Sequence, residues 1–121
     1  MKKILYVEDD PINAFVMAKF LHKDFTMTHV PDGETCLDYL SSHQVDLILM
    51  DINLGKGKID GLETMKRIKA KPDYKTLPII AVTSYALPED EERFLNEGFD
   101  DYLSKPVERQ LLLAHIHKQL D

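Results

Sequence analysis

The 121-residue chain has a single cysteine and no tryptophan. One thiol excludes an internal disulfide. Cys36 has no acidic, His or Cys cluster beside it, so it reads as a packed thiol rather than a nucleophile. No apolar stretch approaches the roughly 20 residues that span a bilayer, so no membrane insertion is expected. Met1-Lys2-Lys3 followed by Ile4 to Val7 has the opening of a signal peptide, but Glu8-Asp9-Asp10 cuts its apolar part too short. A cytoplasmic protein is the expectation. Excess positive charge is also missing: the formal net charge is −6, which argues against nucleic acid as a direct partner. Neither a GxGxxG nor a Walker lysine loop is present, which disfavours a nucleotide binder. There is no internal repeat, low-complexity segment or linker, and the length suits one domain, residues 1–121, with a real core. The histidines (His22, His29, His43, His115 and His117) follow no ligand spacing and none reads as a phosphodonor.

What the chain does contain is a regular alternation of short apolar runs and helical patterns. The runs Lys3–Val7, Thr26–Val30, Leu47–Met50, Ile79–Thr83 and Tyr102–Ser104 read as strands. Ile12, Phe15, Val16 and Phe20 follow helical spacing, as do Cys36, Leu37 and Leu40, and Leu62, Met65 and Ile68. Leu87 through Glu97 reads as a shorter acidic helix with Phe94 and Leu95 inward and Gly98 as its stop. A last helix from near Glu108 buries Leu112, Leu113, Ile116 and Leu120. Five strands alternating with five helices imply an α/β protein, a doubly wound parallel sheet with helices on both faces.

In such sheets chemistry collects beyond the carboxyl ends of the strands. Glu8 and Asp9 follow the first strand, Asp51 the third, Thr83 the fourth and Lys105 the fifth. Carboxylates delivered to one rim repel one another unless a cation joins them. A hard divalent ion suits an all-oxygen donor set, and Mg²⁺ needs few protein ligands because it keeps several waters. A phosphoryl group arriving there would have its charge offset by the metal, Lys105 and Thr83, and Asp51 is placed to act as nucleophile, forming a mixed anhydride. Asp10 before Pro11 reads as a helix N-cap instead.

In these residues the chain resembles the response-regulator receiver domains of two-component signalling, from first strand to last helix. Glu8-Asp9 matches the family's acidic pair, Asp51 its phosphoacceptor, Thr83 its switch hydroxyl, Tyr102 its switch aromatic, Lys105-Pro106 its lysine and usually cis proline, and Asp60-Gly61 the motif closing the loop after the phosphoacceptor. The resemblance implies a three-layer, flavodoxin-like (βα)5 fold with strand order 2-1-3-4-5. It implies Mg²⁺, with Mn²⁺ as a substitute, held by Asp9, Asp51 and the backbone carbonyl of Asn53, with Glu8 acting through water. It implies a phosphohistidine donor on a histidine kinase or phosphotransfer domain, self-catalysed transfer and hydrolysis, and a downstream protein that reads the surface of the fourth helix, fifth strand and fifth helix. In such a switch Thr83 moves toward the phosphoryl group and the Tyr102 ring turns inward. A phosphohydrolase using an aspartyl phosphate would carry a second Asp two residues after its nucleophile, where this chain has Asn53.

Three features stay open. The stretch Leu54 to Gly61 is about two residues longer than the common receiver loop, with Gly55 where many members have proline; it is either a mobile loop beside the metal site or a plain extra turn. Tyr85, two residues after Thr83, either screens the aspartyl phosphate and slows its hydrolysis or is an exposed aromatic. Seven basic residues between Lys56 and Lys75 and seven acidic ones between Glu89 and Asp101 form either two solvated faces or, in the acidic case, a patch that steers a basic partner.

Overall fold

The computed structural model describes residues 1–84 and 87–121. Five parallel strands, β1 (Lys3–Val7), β2 (Thr26–Val30), β3 (Leu47–Asp51), β4 (Ile79–Thr83) and β5 (Asp101–Ser104), lie in the order β2-β1-β3-β4-β5. Between and after them run α1 (Pro11–Leu21), α2 (Gly33–Leu40), α3 (Gly61–Lys69), α4 (Pro88–Glu97) and α5 (Arg109–Leu120), with a short 3-10 turn at Pro72–Tyr74. The flavodoxin-like order expected from the sequence is the one observed.

The central strands β3 and β4 are buried at every residue. That is why they read as unbroken apolar runs: helices cover both faces, so no position favours a polar side chain. On one side Leu5, Val7, Ile48 and Met50 pack with Cys36 of α2, Met65 and Ile68 of α3 and Phe94 of α4. On the other, Ile4, Tyr6, Leu49 and Val82 pack with Met17 and Leu21 of α1 and Leu112 and Ile116 of α5. Three helices start on aspartate caps. Asp10, Asp32 and Asp60 accept from the backbone N–H of Ile12, Thr35 and Glu63 at 2.8–2.9 Å, each satisfying one orphan donor of the first turn.

Two helix faces differ from their sequence pattern. In α1 the buried residues are Ala14, Met17 and Leu21, whereas Ile12 is 72% and Phe15 62% exposed and Val16 is also at the surface. Because α1 is apolar nearly all round, spacing alone cannot choose its inner face. In α4 Phe94 is buried but Leu95 is largely outside. The opposed charge blocks partly neutralise one another: Lys66 pairs with Glu97 and Lys69 with Asp100, each at 2.6 Å. The pairs offset one carboxylate at the end of α4 and one in the loop before β5.

Candidate metal and phosphoryl site

Strand register brings the rim residues level. Val7 lies opposite Met50, Asp51 opposite Val82 and Thr83 opposite Ser104, so Glu8, Asp51, Thr83 and Lys105 fall at or one residue past matched strand ends. Gly61 lets the loop after β3 return against this rim. Its N–H donates to the Ile52 carbonyl at 2.8 Å, and a Cβ there would overlap the Asp51 carbonyl oxygen.

Carboxylate oxygens of Glu8, Asp9 and Asp51 lie within 4.8 Å of one another. Glu8 and Asp51 are buried while Asp9 is exposed. Lys105 Nζ sits 2.8 Å from Glu8 Oε1 and 3.3 Å from Asp51 Oδ2. Burial favours the neutral form of every carboxyl here, and Asp51, hydrogen-bonded to Glu8 and facing its charge, is pushed up to about 7. Burial acts on Glu8 in the same sense, but hydrogen bonds from Asp51, Lys105 and Tyr6 outweigh it and hold Glu8 down at about 2. Asp9 is raised by burial and by Glu8. The cluster is thus an anionic site in which Asp51 holds its proton to unusually high pH when no cation is supplied. With three carboxylates and no nitrogen or sulfur donor among its acidic groups, it fits a hard divalent ion.

Thr83 is buried at the end of β4, and the backbone N–H of Lys105 donates to its carbonyl at 2.8 Å. The Lys105-Pro106 peptide is cis. Asn53 is exposed just after β3. Tyr102, expected to turn inward on phosphorylation, is already inside, its ring stacked on Phe94 at 6.2 Å between centroids. Its buried hydroxyl has no hydrogen-bond partner among the described residues. Tyr85 lies outside the described residues. The longer loop is fastened to α2: Lys58 pairs with Asp32 at 3.4 Å and the Ile59 N–H donates to Glu34 at 3.3 Å. Gly55 turns through a φ of 99° beside Asp9, a conformation that a side chain would strain.

Two residues escaped the sequence reading. The Tyr6 hydroxyl donates to Glu8 Oε1 at 2.7 Å, and His29 Nε2 donates to the Glu8 carbonyl at 2.6 Å. A signal for Tyr6 was available: residues two apart on a strand face the same way, and a buried tyrosine needs a partner for its hydroxyl. His115, which carries no spacing signal, binds Asp101 at 2.6 Å and ties α5 to β5.

A five-stranded parallel sheet in this order, with Glu8, Asp9, Asp51 and Lys105 gathered at its carboxyl rim, has the form of a receiver. The sequence profile of the family described as "Response regulator receiver domain" matches residues 4–117, and the chain belongs to that family, whose members are signalling domains of two-component systems. It is 35% identical over 107 residues to the polar-differentiation response regulator DivK of Brucella anthropi, covering 88% of this chain and 85% of DivK. It is 32% identical over 117 residues to a probable cyclic di-GMP phosphodiesterase of Vibrio cholerae, covering 97% of this chain but only 26% of that protein. Among solved structures it resembles the receiver domain of the sensor histidine kinase PA1611 from Pseudomonas aeruginosa, with a TM-score of 0.88 and 34% identity over 98% of this chain and 97% of that one. That domain has a magnesium ion coordinated in its active-site cleft. No described helix of the present chain is long and apolar enough to cross a membrane.

Proposed function

We propose that this receiver is a phosphorylation-dependent switch that works in the cytoplasm, with Asp51 as phosphoacceptor. The observation that carries the reading is the convergence of Glu8, Asp9 and Asp51 within 4.8 Å, with Lys105 Nζ 3.3 Å from Asp51. Asp9, Asp51 and the Asn53 carbonyl would hold Mg²⁺, or Mn²⁺ in its place, with Glu8 contributing through water. When bound, the ion offsets charge on the phosphoryl oxygens. An oxygen of ionised Asp51 attacks the phosphorus of a phosphohistidine, the P–N bond breaks, and the departing imidazole keeps the electron pair and takes up a proton. Lys105 and Thr83 contact the phosphoryl oxygens. Water later attacks the same phosphorus, releasing inorganic phosphate and the Asp51 carboxylate.

The donor docks on α1, as the exposure of Ile12, Phe15 and Val16 supports. Beside them a groove lined by Met17, Phe20, Pro106 and Val107 runs to Lys105 and Tyr6, which suits a helix that presents its histidine to the site. Exposed apolar patches of this kind mark interaction sites. A buried hydroxyl without a partner costs about 1–3 kcal/mol, so the inward Tyr102 ring competes with a hydrated outward one. A Thr83 hydroxyl drawn to the phosphoryl group favours the inward ring and with it one shape of the α4–β5–α5 surface, which a downstream protein reads.

The test is incubation with Mg²⁺ and acetyl phosphate, followed by intact-mass spectrometry. One phosphoryl group per chain, lost in Asp51→Asn, is expected. Continuous turnover without a stable labelled form would support a hydrolase, and no labelling an inert module.

A further inference from the structure

Glutamate at position 8 carries its carboxylate on one more rotatable bond than aspartate, so something must aim it. Tyr6 lies two residues earlier on β1 and faces the same side of the sheet. Its ring is 1% exposed, locked among Ile4, Leu49 and the side chains of α1 and α5. The hydroxyl at its tip donates to Glu8 Oε1 at 2.7 Å. Lys105 Nζ reaches the same oxygen at 2.8 Å, Oε2 takes a long bond of 3.4 Å from the Asp10 N–H, and the carboxylate also accepts from Asp51. His29 fixes the main chain at the same residue through the Glu8 carbonyl. Glu8 is thus gripped at backbone and side chain. Of the two donors to Oε1, the lysine is flexible and partly exposed, and the tyrosine is rigid.

We infer that Tyr6 is a positioning residue for the cation site: its rigid hydroxyl fixes the Glu8 carboxylate beside Asp9 and Asp51. Without that hydroxyl Glu8 loses its one rigid side-chain donor, and its carboxylate is held mainly by the flexible Lys105 ammonium and by the bond from Asp51. This inference rests on the magnesium reading above and goes beyond it, since the resemblance assigns Tyr6 no role.

The experiment is a double-mutant cycle on Mg²⁺ affinity, read by calorimetry, with Tyr6→Phe, Glu8→Asp and both together. Partners that orient metal ligands typically change affinity by about 10–100-fold, and Tyr6→Phe is expected to weaken Mg²⁺ about tenfold. Glu8→Asp withdraws the carboxylate from the hydroxyl by one methylene, so in that background Tyr6→Phe changes affinity less than about twofold. Urea unfolding of each variant checks that the fold is kept. An affinity within about twofold of wild type in Tyr6→Phe, or the same loss in both backgrounds, overturns the inference and leaves Tyr6 a packing residue. The magnesium reading is judged separately by Asp9→Asn and Asp51→Asn, which abolish binding if it holds. Wild-type protein that binds no Mg²⁺ overturns both.

Discussion

Replacing Asp51 with asparagine should stabilise the metal-free protein, increasingly as pH rises from about 4 to 7. Asparagine keeps the shape of the side chain and removes its charge from beside Glu8 and Asp9. Burial and Glu8 raise Asp51 from 3.8 to about 7. A carboxyl raised in this way favours folding while it is protonated. That contribution is complete below the unfolded value near 4 and is lost as pH climbs through 7. At about 1.4 kcal/mol per pH unit, the gap corresponds to at most about 4 kcal/mol well above pH 7. With relaxation and water entry at the rim, a gain on the order of 2 kcal/mol is expected for Asp51→Asn at pH 8.5. The assay is urea unfolding in EDTA at pH 5 and pH 8.5, followed by circular dichroism. At pH 5 the difference should be less than about half that at pH 8.5, and saturating Mg²⁺ should reverse the order at pH 8.5 by binding the wild-type fold. If Asp51→Asn is destabilising at pH 8.5, or its effect is the same at both pH values, the carboxylates do not repel across this site and the reasoning fails.

Other expectations follow from single contacts. Gly61→Ala places a methyl group against the Asp51 carbonyl and should cost about 1–3 kcal/mol by overpacking, measured by urea unfolding. Cys36, pushed up to about 12 by burial and by Asp32, should resist maleimide in the native protein and react in urea. Ile12→Ser with Phe15→Ser removes exposed apolar surface, so stability should stay within about 0.5 kcal/mol. Labelling by acetyl phosphate should be unchanged, while transfer from a phosphohistidine protein slows at least several-fold. Equal slowing with both donors would place the defect in the chemistry rather than in docking.

The central strands were legible because they are buried on both faces, so β3 and β4 needed no periodicity beyond continuous apolarity. The rim residues were legible because each stands at the end of such a run. Helix faces were harder. On α1 the apolar residues exceed what the core can cover, and Phe15 follows a helical pattern while pointing outward. Tyr6 was read as core, which it is; its second role depends on a bond between strand neighbours two apart that no motif marks. The pairing of Lys66 with Glu97 depends on where α3 meets the end of α4, and that of Lys69 with Asp100 on where α3 meets the loop before β5, tertiary facts that charge counts do not contain.

The most direct measurement is a crystal structure of the protein soaked in Mn²⁺, with an anomalous difference map. A peak about 2.1–2.2 Å from oxygens of Asp9 and Asp51, with the Asn53 carbonyl completing the protein ligands, is the predicted result. A saturating soak that leaves this rim without a peak, its carboxylates turned apart or bonded only to Lys105, would contradict it.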